Sequence, residues 1–202
     1  MGPSDISLQM VGFRVVALLL LAGLHGGLVA AAAVLLDDKG PKHDGRLTFV
    51  PTNHVDLVGA FSLILFGLGW TKQVAVDVRE MRVGRIGIVI VILTGFIGLL
   101  VAAAILDALV RPALTMLPYS AGLSTAAFLH AAASLTIWFA LLSLIPVPPL
   151  TGGLILDAFG IRVSRRFQWI LTAALVTAVA FGVFHRHLGP THAFLARVVI
   201  GE

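Results

Sequence analysis

Four apolar runs, at residues 10–36, 86–110, 125–145 and 167–184, leave this chain few places to fold. Each is close to the roughly 20 residues that a helix needs to cross a bilayer. Lipid offers the backbone no water, so such segments satisfy their N–H and C=O groups internally, as α-helices. The bulk chemistry agrees: 58% of residues are hydrophobic and 12% charged, with a mean hydropathy of +1.02, whereas soluble domains carry about 25% charge. Residues 1–202 therefore read as a single membrane domain, an α-helical integral membrane protein with about four full transmembrane helices. The first run follows Arg14 and turns alanine-rich, as a signal peptide does, but it is too long for an h-region and reads as a membrane helix.

The stretches between the spans carry their own patterns. Residues 57–68 are apolar but too few to cross, which predicts a short re-entrant helix. On either side of it, GRLTFVPTNHVD (45–56) and TKQVAVDV (71–78) alternate in strand fashion, predicting a small membrane-associated β-hairpin or sheet. Arg111-Pro112 is expected to stop the second full span, with a loop at 118–124. PVPPLTGG (146–153) predicts a rigid turn-rich segment, and LILDAFGIRVSRR after it a short interfacial helix. The tail should hold His185, His187 and His192 in a solvated loop before an amphipathic piece at about 190–202. Asp107 and Arg111, spaced i, i+4, are expected to pair.

The net charge of +4 does not make this a nucleic-acid binder, because the basic residues sit in short loops between apolar runs. With 57–68 re-entrant, Lys39, Lys42, Arg46, Lys72, Arg79, Arg82, Arg85, Arg162, Arg165 and Arg166 share one side, against Arg14, Arg111, Arg186 and Arg197 on the other. The positive-inside rule then puts the basic loops in the cytoplasm and both termini outside, in a cytoplasmic (inner) membrane. With no cysteine, disulfides and thiolate metal sites are excluded.

Three blocks carry a resemblance. SLIPVPPLTGG at 143–153 resembles NxxPxPPLDGG, GRLTFVPTNHVDLVG resembles GRLTLNPxxHIDPxG, and GWTKQVAVDVREMR resembles GWAKPVPVxPxxxR. These are signatures of the site-2 proteases, intramembrane zinc metalloproteases, in that family's order and in a chain of the length of its short bacterial forms. The resemblance implies a site-2-protease-like core and an HExxH helix whose histidines hold zinc while the glutamate activates water. It also implies that Pro146, Pro148, Pro149, Gly152 and Gly153 are structural. The first span supplies HGGLV instead: His25 matches the first histidine, Gly26 replaces the glutamate and Val29 the second histidine. Thr151 stands where the family's third ligand, the aspartate of LDGG, belongs, and Ser143 where its asparagine does. In place of a further AGPxxN stretch the chain has Thr94-Gly95-Phe96-Ile97-Gly98-Leu99.

One histidine cannot hold a catalytic zinc, which needs about three protein ligands, and loss of the base alone removes about 10²–10⁴ in rate. No catalytic residue, metal or other cofactor is therefore expected. His25 reads as a vestigial ligand position, and small Gly26, Gly27, Val29 and Thr151 should leave space beside it. A new site built from His25, His54 and His130 is the remaining metal option. The surviving architecture points to a catalytically inactive structural or accessory subunit of a larger membrane complex, with other membrane subunits and lipid as partners. The alternatives are a regulatory pseudoprotease that binds transmembrane clients and a zinc metallopeptidase with a non-standard site. The family's strand segments can receive an extended chain, so Thr48, Phe49, His54, Trp70, Lys72, Val74 and Val76 are the partner-binding candidates.

Overall fold

The computed structural model describes residues 7–161 and 163–201. Arg162, counted above among the basic residues, lies outside the described residues, as do residues 1–6 and Glu202. Helix α1 (Leu8–Leu35) begins at Ser7, whose hydroxyl accepts a hydrogen bond from the Met10 amide at 3.1 Å. Its buried residues include Ala17, Ala22, Gly23, Gly26, Gly27, Ala30 and Ala33. Side chains this small let neighbouring backbones approach closely, which is how helices pack in lipid. After α2 (Gly40–His43) and α3 (Leu57–Phe66), α4 (Arg85–Ala108) and α6 (Tyr119–Ser143) pack against α1 as the central bundle.

Between them, α5 (Val110–Met116) continues α4 past the predicted stop, giving an apolar unit Arg85–Met116 of 32 residues. Pro112 sits in the first turn of α5, where its missing N–H forfeits no helical bond. Asp107 lies 3.9 Å from His130 Nδ1 on α6, an inter-helix partner in place of the Arg111 pairing expected from spacing. The predicted loop at 118–124 is instead the opening of α6, which starts directly after Pro118.

The chain closes with α7 (Leu154–Ala158), α8 (Arg165–Ala180) and α9 (Val183–Ile200). Helices α8 and α9 meet at a bend of 69°, at Gly182 with a left-handed φ of 69°. By length and composition, three helices among the described residues can cross a membrane, or four if that bent pair is one span. The tail histidines are not in a loop: His192 stacks on Trp138 of α6 at 4.3 Å between ring centroids, and His185 lies 4.7 Å from the same ring. Polar side chains can sit on a membrane-length helix when an amphipathic partner ring receives them.

The segment between α1 and α4 folds back on itself as a hairpin beside α1. Asp56 caps α3, accepting from the Gly59 amide at 2.7 Å, and Gly67 ends it in the left-handed conformation with φ 78°. The chain then returns beside α3 until Thr71 pairs with Val55, so both ends of the excursion meet. At its tip, buried Arg14 donates to the carbonyls of Ile64 (2.7 Å) and Leu65 (3.1 Å), satisfying acceptors that a helix end in lipid cannot leave bare.

The predicted β-hairpin does not form: among the described residues that single Val55–Thr71 bridge is all the strand pairing present. Two features prevent it. Pro51 starts a 3-10 turn, Pro51–Asn53, that breaks the first alternating segment. The buried Arg46 guanidinium then takes the carbonyls of Lys72 (2.7 Å), Gln73 and Asn53, acceptors that a ladder would otherwise need.

Candidate functional site

His25 lies on the buried face of α1, 2% exposed, at the level where the 48–54 segment crosses the helix. Its Nδ1 is 3.2 Å from the Thr71 hydroxyl, and Phe139 of α6 packs edge-on at 5.5 Å. Its Nε2 has no hydrogen-bond partner. Glycine at position 95 of α4 is what admits the imidazole and Val29, since a Cβ there would lie 2.9 Å from His25 Nε2 and from Val29 Cγ2.

The positions expected to leave a void are occupied. A side chain at Gly26 would run into the ring of His54, and one at Gly27 into the ring of Phe49, 2.6 Å from its Cδ1. Gly23 faces the Phe49 backbone. Three glycines on one face of α1 thus form a flat bed, and the Thr48–His54 segment lies in it. His54 is completely buried, with Nε2 donating to the Thr48 carbonyl at 2.8 Å. That bond fixes the neutral tautomer with a bare Nδ1, which has no partner. Burial pushes the His54 pKa below its ordinary value, the Arg46 charge lowers it further, and the bond to Thr48 works the other way.

On the opposite side of His25 the lining is polar but closed. Thr71, Ser143, Thr151 and Trp70 surround the ring together with Phe139 and Leu150, and the space between them is too small for a water molecule. Ser143 is turned back to the Ala140 carbonyl at 2.7 Å, and Trp70 Nε1 is buried without a partner. Thr151 opens the 3-10 turn Thr151–Gly153 and is buried. That turn follows a cis peptide between Pro148 and Pro149, and a side chain at Gly153 would sit 2.7 Å from the Pro148 nitrogen. The proline and glycine residues of 146–153 therefore shape the wall beside His25.

Zinc does not fit this arrangement. It needs about three nitrogen, sulfur or carboxylate donors, and His25 is met by neutral hydroxyls and an aromatic edge. Among the described residues no three histidine, aspartate or glutamate side chains converge on one point. His54 does come beside the His25 turn of α1, but His130 is away at the α4–α6 contact with Asp107.

The partner-binding candidates are split by the fold. His54, Trp70 and Val74 are buried, Thr48 and Val76 are half-buried, and Phe49 and Lys72 are exposed. The backbone of residues 74–76, beyond the Thr71 bridge and the Gln73 carbonyl held by Arg46, makes no hydrogen bonds within the described chain. Sequence reasoning missed Arg46 and Thr71. Arg46 appeared only as one of many basic loop residues; its position inside GRLTF, next to an alternating run, was the available signal.

The chain is 28% identical, over 155 residues, to the Bacillus subtilis (strain 168) protein named "Putative zinc metalloprotease YwhC", a match that covers 74% of this chain and 70% of that protein. The likeness is distant and metalloprotease-like. No protein-family model matches the sequence, and no solved structure matches it.

Proposed function

We propose that this chain is a site-2-protease-like membrane protein without peptidase activity, serving as a structural or accessory subunit of a larger membrane complex. The observation that carries the reading is the seating of His54 and Phe49 on Gly26 and Gly27. The place from which a glutamate would activate water is taken by the chain's own loop, and the remaining neighbours of His25 are hydroxyls. The distant likeness to YwhC supports the scaffold part of the proposal. In this reading the end of the bundle bearing Lys39, Lys42, Arg79, Arg82 and Arg85 faces the cytoplasm of an inner membrane.

Mild-detergent extraction from the native membrane tests it: the chain should run in one large assembly with fixed companions in constant ratio. Recovery solely as a free monomer contradicts the subunit role. A second reading, capture of transmembrane clients by a regulatory pseudoprotease, is favoured by the unpaired backbone at residues 74–76, which could accept an added strand. Photocrosslinkers at Lys72 and Val76 separate the two, because a subunit yields the same neighbour each time and a regulator yields varied single-span proteins.

A further inference from the structure

A cavity of about 220 Å³ lies apart from the His25 centre, between the start of α3, the Pro148-Pro149 turn and the first two turns of α8. Its volume equals roughly seven waters at about 30 Å³ each, room for a small polar group. Asp56 and Arg165 both line it, yet no ion pair joins them, and among the described residues no hydrogen bond or ion pair engages Arg165. Asp56 spends one oxygen on the Gly59 amide and keeps further acceptor capacity. Gln168 and Thr172 add neutral polar groups to the same wall.

Unpaired opposite charges across one opening select against simple ions. An anion drawn to Arg165 meets Asp56, and a cation drawn to Asp56 meets Arg165. A molecule carrying both signs satisfies both. Trp169 lines the opening, and the two helices that flank it carry further exposed apolar side chains, Ile170 on α8 and Leu57 and Phe61 on α3, each more than 60% exposed. Tryptophans of membrane proteins concentrate at the level of lipid headgroups. We infer that this cavity is a binding site for the headgroup of a zwitterionic phospholipid, the phosphate on Arg165 and a primary ammonium on Asp56, with acyl chains along Leu57, Phe61 and Ile170. The inference is independent of whether the chain is a peptidase or a subunit.

The full chain, purified in mild detergent and incubated with equal amounts of phosphatidylethanolamine and phosphatidylglycerol, should retain the former over the latter by about fivefold in native mass spectrometry. Asp56→Asn keeps the helix cap, since asparagine caps as well as aspartate; it should leave the thermal midpoint unchanged and abolish or invert the preference. Arg165→Gln should lower retention of both lipids. Equal retention of the two lipids by the unaltered chain, or an unchanged preference in Asp56→Asn, overturns the site. Excess soluble glycerophosphoethanolamine should not displace the lipid; displacement would overturn the membrane-lipid assignment.

Discussion

The two sides of the His25 turn are built on opposite terms. Toward the Thr48–His54 segment, α1 offers Gly23, Gly26 and Gly27, and that segment fills every gap they leave. On its other side His25 looks at Thr71, Ser143, Thr151 and Trp70, and two ring nitrogens, His25 Nε2 and Trp70 Nε1, stay without partners. One side is defined by steric fit that tolerates no added atom. The other keeps polar groups whose bonds are incomplete and whose removal should matter little. A turn of helix that would carry both base and ligands in a zinc protease has been divided between tight packing and idle polarity.

The difference can be broken most forcefully at Gly26. Placing there the glutamate of the HExxH motif that the sequence resembles, Gly26→Glu, should destabilise the protein by about 3 kcal/mol, at the upper end of overpacking penalties, because His54 occupies the site. Thermal unfolding in detergent reads this, and adding His54→Gly should recover much of the loss. A neutral effect of Gly26→Glu alone would mean that the loop is not seated there.

Next in size is the clamp that holds the loop down. Arg46→Leu strips donors from the carbonyls of Asn53, Lys72 and Gln73 and should cost ~2 kcal/mol. Hydrogen exchange should quicken across residues 46–56 and 71–74 while α4 and α6 stay protected.

Acid should loosen the same side by a smaller amount. His54 is held neutral by burial, so its folded pKa lies below the unfolded value of about 6.5. As pH falls below about 6.5 the unfolded state binds the proton first, and stability drops by ~1 kcal/mol per pH unit until the folded pKa is reached. His54→Asn, which cannot titrate, should flatten that dependence in unfolding curves between about pH 7 and 5.

The smallest effect belongs to the polar side. His25→Leu loses one bond to Thr71 and removes an unpaired buried nitrogen, so its cost should stay under ~1 kcal/mol. A loss as large as that from Gly26→Glu would erase the contrast between the two sides.

How much of this was legible in the sequence follows from range. The runs at 10–36, 86–110 and 125–145 fall on long apolar helices because bilayer thickness sets helix length directly. The run at 167–184, by contrast, is divided by the 69° bend between α8 and α9, and the stop expected at Arg111-Pro112 is passed. The strands were misread because alternation is local, whereas Pro51 and the Arg46 clamp decide where the carbonyls go. Helix α9 was hidden by its histidines, polar in composition yet stacked on Trp138, a ring far away in sequence. His25 and the positions Gly26, Val29 and Thr151 stood out only through the resemblance to the protease motifs, not from spacing. That glycine at 26 and 27 signals a filled site and not an empty one could not be seen, since His54 and Phe49 reach α1 only after the hairpin has folded.

The central claim is that His25 has no companions able to hold a metal. Equilibrium dialysis of the purified chain against buffered zinc, with bound metal counted by mass spectrometry in the native protein and in His25→Ala, tests it most directly. The account predicts less than about a tenth of a zinc per chain in both, since a resident catalytic metal is bound stoichiometrically. A full equivalent in the native protein that disappears in His25→Ala would contradict it.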